Sequence, residues 1–182
     1  MIELSLNPKS PAYRVDSIAL AKRVCKNLTL EILPFKQTKI CGILYRGEHS
    51  TSIALNAGRS AGGRNFDCMH ELIHYWLHED EPVFQCIEGN ADVFLEWQAN
   101  EGAAQFLMPY QSFIPNYCAA YDDVFRVYSG AAAEAALVSR LAAGYGVGEL
   151  AARYRINTLR REIAMYLDGV PVGEIQILRG RR

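Results

Sequence analysis

The chain has 182 residues, half of them apolar, with a net charge of −1 and a sequence pI of about 6.4. That supplies enough apolar material for one domain with a sizeable core, and the near-neutral charge excludes a global pull toward nucleic acid or an anionic membrane. No stretch approaches eighteen uninterrupted apolar residues and Met1–Ser5 lacks the pattern of a secretory leader, so the expectation is a cytoplasmic protein with no membrane partner.

Residues 1–13, with Pro8 and Pro11, read as an irregular arm. From Asp16 to Leu28 the apolar residues recur at helical spacing, with Asp16 or Ser17 available as a cap. Three strands follow, Leu28–Leu33, Ile40–Tyr45 and Thr51–Asn56, close enough in sequence for a small antiparallel or mixed sheet. The glycine-rich stretch 57–65 lacks the lysine and hydroxyl residue of a phosphate loop, and reads as a turn into a helix capped by Ser60 or Asn65. That helix runs to about His78, with Phe66, Met69, Ile73 and Leu77 as its apolar stripe, widened by Leu72 and Trp76, and Asp80–Pro82 ends it.

Residues 79–91 are expected to be a connection. A second long helix spans about Val93 to Met108 and stops at Pro109. Residues 110–130, with Pro115 and Gly130, suggest a short helix plus loop. An alanine-rich helix from Ala131 to Gly144 precedes the turn Gly144–Gly148, then short helices at 149–154 and 157–166, an outline similar to a helix-turn-helix. Val170–Leu178 is a strand or an arm, and the arginines at 179, 181 and 182 form a solvated tail. The expected fold class is α+β: a small three-stranded sheet packed on two long helices, followed by a C-terminal helical region. Two parts are expected, a core over 1–130 and a helical region with an arm over 131–182, packed on that core.

The five cysteines, Cys25, Cys41, Cys68, Cys86 and Cys118, are odd in number, widely spaced and free of any C-x-x-C pair. They argue for a reducing compartment, against a disulfide framework, and against a thiolate metal site. Cys68 reads as a small buried apolar residue, and Trp76 and Trp97 as core.

The chemistry concentrates in His70-Glu71-Leu72-Ile73-His74, an H-E-x-x-H pattern. On a helix, residues four apart share a face, so both imidazoles can point at one metal ion. Glu71, beside the first histidine, is placed to take a proton from water at the metal's open position. A catalytic zinc needs a third protein ligand, and Glu96 on the next long helix is the best candidate. Asn100, one turn beyond Glu96, can accept a hydrogen bond from a ligand histidine and fix its tautomer. His78, four residues after His74, offers a rival three-histidine set, or a helix-end cap.

His70–His74, then Glu96 with Ala99 and Asn100, then Leu107-Met108-Pro109, resembles the ImmA/IrrE family of metallopeptidases, gluzincin-like proteins of bacteria, prophages and integrative elements. The resemblance covers about residues 15–110 and continues weakly into 137–166. It implies a zinc endopeptidase with His70, His74 and Glu96 as metal ligands, Glu71 as the base and Asn100 supporting a ligand. Larger gluzincins usually carry aspartate where this chain has Asn100. The implied partner is a protein substrate, a helix-turn-helix transcriptional repressor of a mobile element or stress response, with no direct nucleic-acid contact as first choice. It also implies that Ser52-Ile53-Ala54, on a sheet edge before the motif helix, pairs with an extended substrate. Tyr121, Tyr128 and His49 are candidate electrophiles. Because an exposed protease site would damage the cell, residues 110–130 or the C-terminal arm are expected to cover it. The alternative function is a repressor- or DNA-binding module with a non-catalytic metal site, in which Arg153, Arg155, Arg160 and Arg161 contact phosphates.

Overall fold

The computed structural model describes residues 13–25, 27–37, 39–78, 83–87 and 93–177, with 83–87 and 93 by backbone alone. The N-terminal arm over 1–12, the helix stop at 80–82 and the basic tail at 179–182 lie outside the described residues.

The architecture is α+β, as expected. Helix α1 (Ser17–Val24) starts at Asp16, whose side chain accepts from the Ala19 amide at 2.9 Å. Strands β1 (Leu28–Leu33), β2 (Ile40–Arg46) and β3 (Thr51–Asn56) fall where alternation and turn residues place them. A fourth strand, β4 (Val83–Ile87), joins them inside the stretch read from sequence as a plain connection. The order is β1-β3-β2-β4, with β1 parallel to β3 and the other two pairs antiparallel. This order corrects one expectation. β3 is an interior strand, its backbone paired on one side with β1 (Thr29 to Ser52, Leu30 to Ile53) and on the other with β2 (Ile43 to Ala54, Leu44 to Ile53). Ser52-Ile53-Ala54 therefore has no free edge on which to receive a substrate strand.

Helix α2 (Ala61–Leu77) is capped by Ser60, whose hydroxyl accepts from the Gly63 amide at 3.0 Å. Asn65 is not a cap; it lies inside the helix and ties three segments together. Its amide donates to the carbonyls of Val15 and Gly146, both at 2.9 Å, and its oxygen accepts from the Ser17 amide at 2.8 Å. Cys68, Met69 and Leu72 are fully buried, against a core that includes Leu44, Ile53 and Leu55 of the sheet. The apolar stripe ends at Ile73, because Leu77 is 61% exposed at the last turn.

Helix α3 (Val93–Leu107) packs along α2 through small residues. Ala99 and Ala103 are fully buried, and a Cβ on Gly102 would lie 3.0 Å from the Ile73 side chain. Close approach of the two axes follows from that absence of bulk. Helix α4 (Tyr110–Phe125) replaces the expected short helix and loop. Pro115 sits inside it and removes one ladder bond, a cost of about 3 kcal/mol in an isolated helix. Burial of Phe113, Ile114, Ala120 and Val124 on one face offsets that cost.

Helix α5 (Gly130–Tyr145) ends at Gly146, whose φ of 66° is the left-handed conformation that glycine adopts freely. The Val147 amide donates to Ala142 and the Gly146 amide to Ala143, the paired bonds of a Schellman ending. Helices α6 (Glu149–Thr158) and α7 (Arg160–Leu167) follow, and 170–177 forms turns with Ile175 buried, an arm rather than a strand. A single cluster of buried residues runs from Tyr13 through α2 to Ile175. Among the described residues no helix is long and apolar enough to cross a membrane. Cys25, Cys41, Cys68 and Cys118 are free thiols.

Candidate metal centre

Helix α2 buries two stripes. Besides the apolar one, Asp67, His70, Glu71, His74 and His78 recur at three- and four-residue steps and are all under 9% exposed. Polar side chains so placed need partners. Asp67 takes a two-pronged contact from Arg59, at 2.9 and 3.1 Å. Two of the others, His70 and His74, face one point.

His70, His74 and Glu96 bring their donor atoms together. The two Nε2 atoms lie 3.0 Å apart, and the Glu96 oxygens lie 3.1 Å from His70 Nε2 and 3.3 Å from His74 Nε2. Ligand atoms bound tetrahedrally at zinc–nitrogen distances would stand about 3.3 Å apart, so the trio already has the spacing of a closed set. Asn100 Oδ1 lies 3.1 Å from His70 Nδ1, the place expected for a residue that orients the ring. A hydrogen on Nδ1 leaves the Nε2 lone pair aimed at Glu96 and His74.

Charge in the trio is unevenly held. Burial depresses His70, but hydrogen bonding to Glu96 and the negative charge of Glu71 outweigh it, and its pKa is raised. His74 is lowered, by burial first and by the neighbouring histidines. Two imidazoles at contact distance cannot both be charged. Burial pushes Glu96 up, yet its bonds to His70 and His74 bring it down to about 2. The trio is thus a carboxylate set against two ring nitrogens, a donor set that a dication fits.

Glu71 is fully buried, and neither of its carboxylate oxygens has a hydrogen-bond partner. Burial, with the charges of Glu96 and Asp67, raises it to about 8. It lies against the backbone of β2, where a Cβ on Gly42 would come 2.7 Å from Glu71 Oε1. Gly42 in turn pairs with Cys86 of β4.

The wider set divides. His78 is the residue that closes α2, its amide donating to His74 O at 3.0 Å. Its side chain turns back on His74 from the face away from Glu96, with Nδ1 to Nδ1 at 2.8 Å, so it does not complete a three-histidine set with the two Nε2 atoms. Arg155 is corrected: it is 1% exposed, donates to Met108 O at 2.9 Å and to Gln105, and presents nothing to a phosphate. Arg153, Arg160 and Arg161 are exposed. Trp97 is corrected as well, since it is 39% exposed and stacks on Phe94 rather than entering the core. Cys68 is buried as expected, and desolvation raises its thiol to about 12. His49, Tyr121 and Tyr128 are surface residues, with Tyr121 stacked on Phe125 along α4. Gly42 and Gln98 were missed. An isolated glycine inside a strand does signal close approach of another group, whereas Gln98 carries no pattern of its own.

Residues 25–157 match the family model described as Peptidase_M78, IrrE N-terminal-like domain. The chain belongs to this family. The match covers more than half of the chain and includes α2, α3 and the turn between α5 and α6. The resemblance to ImmA/IrrE metallopeptidases is therefore real, and membership supports a metallopeptidase type of function. No curated protein matches the chain.

Proposed function

We propose that this chain is a zinc-dependent endopeptidase of the cytoplasm that cleaves a specific protein substrate, a helix-turn-helix transcriptional repressor of a mobile element or stress response. The observation that carries the reading is Glu71, a fully buried carboxylate with two unpartnered oxygens near the charges of His70 and Glu96. A group so costly to bury has a use in proton transfer and none in packing. His70, His74 and Glu96 would hold the metal, and two nitrogens with one carboxylate is the donor set of a zinc hydrolase with an open position. Bound there, zinc supplies Lewis-acid polarisation of a water and of the scissile carbonyl. With a dication held there, Glu71 would be favoured in its ionised form.

Glu71 then takes the proton of the attacking water and gives it to the departing amine nitrogen. Gly42 leaves room for that carboxylate against the sheet. β4, which pairs with β2 at Gly42, is the outer strand on this side of the described sheet. It takes the role expected of 52–54: an extended substrate adds beside it, held by main-chain hydrogen bonds. The repressor as substrate rests on the family resemblance alone.

The test is Glu71→Gln. The variant should keep stoichiometric zinc by metal analysis and lose cleavage, visible as one regulator that stays intact in cells carrying it. Cleavage that survives the substitution, or wild-type protein without zinc, overturns the reading.

A further inference from the structure

His74 presents its two ring nitrogens to different neighbours. Nε2 faces the trio, 3.0 Å from His70 Nε2 and 3.3 Å from Glu96 Oε1. Nδ1 faces His78 Nδ1 at 2.8 Å. Two ring nitrogens at that distance share one proton. The other nitrogen of His78, Nε2, lies 3.2 Å from Oε1 of Gln98 on α3. An amide oxygen only accepts, so Nε2 of His78 carries a hydrogen. A neutral His78 protonated there has a bare Nδ1, and the shared hydrogen then belongs to Nδ1 of His74. That leaves the lone pair of His74 on Nε2, facing Glu96.

We infer that Gln98 and His78 form a relay that sets the tautomer and ring orientation of His74, as Asn100 does for His70. The inference rests on the reading of His74 as a metal ligand. His78 is a positioning residue: it touches neither substrate nor the reacting atoms, and it acts through His74. The relay joins the end of α2 to α3, the helix that carries Glu96, so one chain of side chains fixes both the second histidine and the spacing of its helix from the third ligand. Each ligand histidine thereby has a partner from α3: His70 directly through Asn100, and His74 through His78 and Gln98.

His78→Leu, His78→Asn and Gln98→Leu separate orientation from packing. Asparagine keeps an acceptor near the position of Nδ1, and leucine keeps bulk without one. Gln98 is only half-buried, so its variant gives a reading even where His78→Leu unfolds. Zinc affinity is measured by competition with a chromogenic chelator, and the tautomer of His74 in metal-free protein by nitrogen-15 shifts of the labelled ring. Loss of an outer partner typically weakens metal binding about 10- to 100-fold. His78→Leu should show that loss, Gln98→Leu a smaller one, and His78→Asn should recover most of it. Wild-type His74 should carry its hydrogen on Nδ1, and both leucine variants should give mixed tautomers. Wild-type affinity in both leucine variants, or a hydrogen on Nε2 of His74 in wild type, overturns the relay. If wild-type protein binds no zinc, the ligand reading fails by itself, and the tautomer of His74 in that metal-free protein still decides the relay.

Discussion

Glu71 links folding to pH. Its folded pKa of about 8 stands above the 4.5 of the free side chain, and burial is the main cause. Between those two values the native state holds a proton that the unfolded state has released. Stability of the metal-free protein from this group is therefore full below about pH 4.5 and falls as pH rises toward 8. A shift of this size corresponds to a few kcal/mol at most. Glu71→Gln removes the linkage, so the variant should gain on wild type steadily from pH 5 to pH 8 when both are unfolded by urea in the presence of a chelator. A gap that stays constant across that range would mean Glu71 is ionised in the native state. At this scale much of the candidate cluster was legible. His70, Glu71 and His74 share a helix face by the 3.6-residue repeat alone, whereas Glu96 was chosen because a zinc site needs a third ligand, with Asn100 one turn beyond it. His78 was visible at the same spacing, but only the ring geometry shows that it points back at His74. Gln98 was not legible, because a lone glutamine on a helix is uninformative until its partner is located.

The elements were legible wherever a local pattern decides them. β1 to β3, α2, α3 and α5 begin and end near the caps and breakers seen in the chain, and α1 starts at its cap but ends at Val24, short of the Leu28 expected. The failures have physical causes. β4 needs a partner strand to exist, and α4 overrides Pro115 through burial that a local pattern does not show. The placing of β3 between two neighbours is a matter of topology, which neither alternation nor turn residues encode. Glycines carry the packing of α2 at its start. A Cβ on Gly62 would lie 2.4 Å from the carbonyl oxygen of Val147, a backbone atom in the turn between α5 and α6. Gly144 on α5 is exposed and has open space around it. Gly62→Ala should therefore destabilise by about 1–3 kcal/mol, the usual range for overpacking. Gly144→Ala should stabilise by up to about 0.5–1 kcal/mol through helix propensity. Chemical denaturation of the two variants checks both signs, and equal effects would mean the turn yields freely around Gly62.

At the scale of the molecule, the C-terminal helices hold the helices that carry the site. Val147 and Gly148 close against the start of α2, and Asn65 donates to Gly146 O across that seam. Tyr154 donates to Glu101 on α3 at 2.5 Å, and Arg155 donates to Met108 O just past the end of α3. Tyr145 donates to Ser112 on α4 and accepts from Asn116. Arg155 is buried, with its pKa lowered to about 10 by desolvation, so it stays charged at neutral pH and depends on those acceptors. The family match, which runs to residue 157, likewise extends past α5. We propose that 131–182 packs on 1–130 as one cooperative unit rather than as a separable binding module. A chain ending at residue 130 would strip Phe113, fully buried in the whole protein, of the Tyr145 ring 5.5 Å away. It would also leave the Met108 carbonyl without its guanidinium partner. The expected outcome is loss of a cooperative thermal transition by circular dichroism, together with loss of zinc binding. A fragment 1–130 that melts cooperatively and binds zinc like the whole chain would instead make the C-terminal helices an independent module, and would reopen the reading in which they serve a partner of their own.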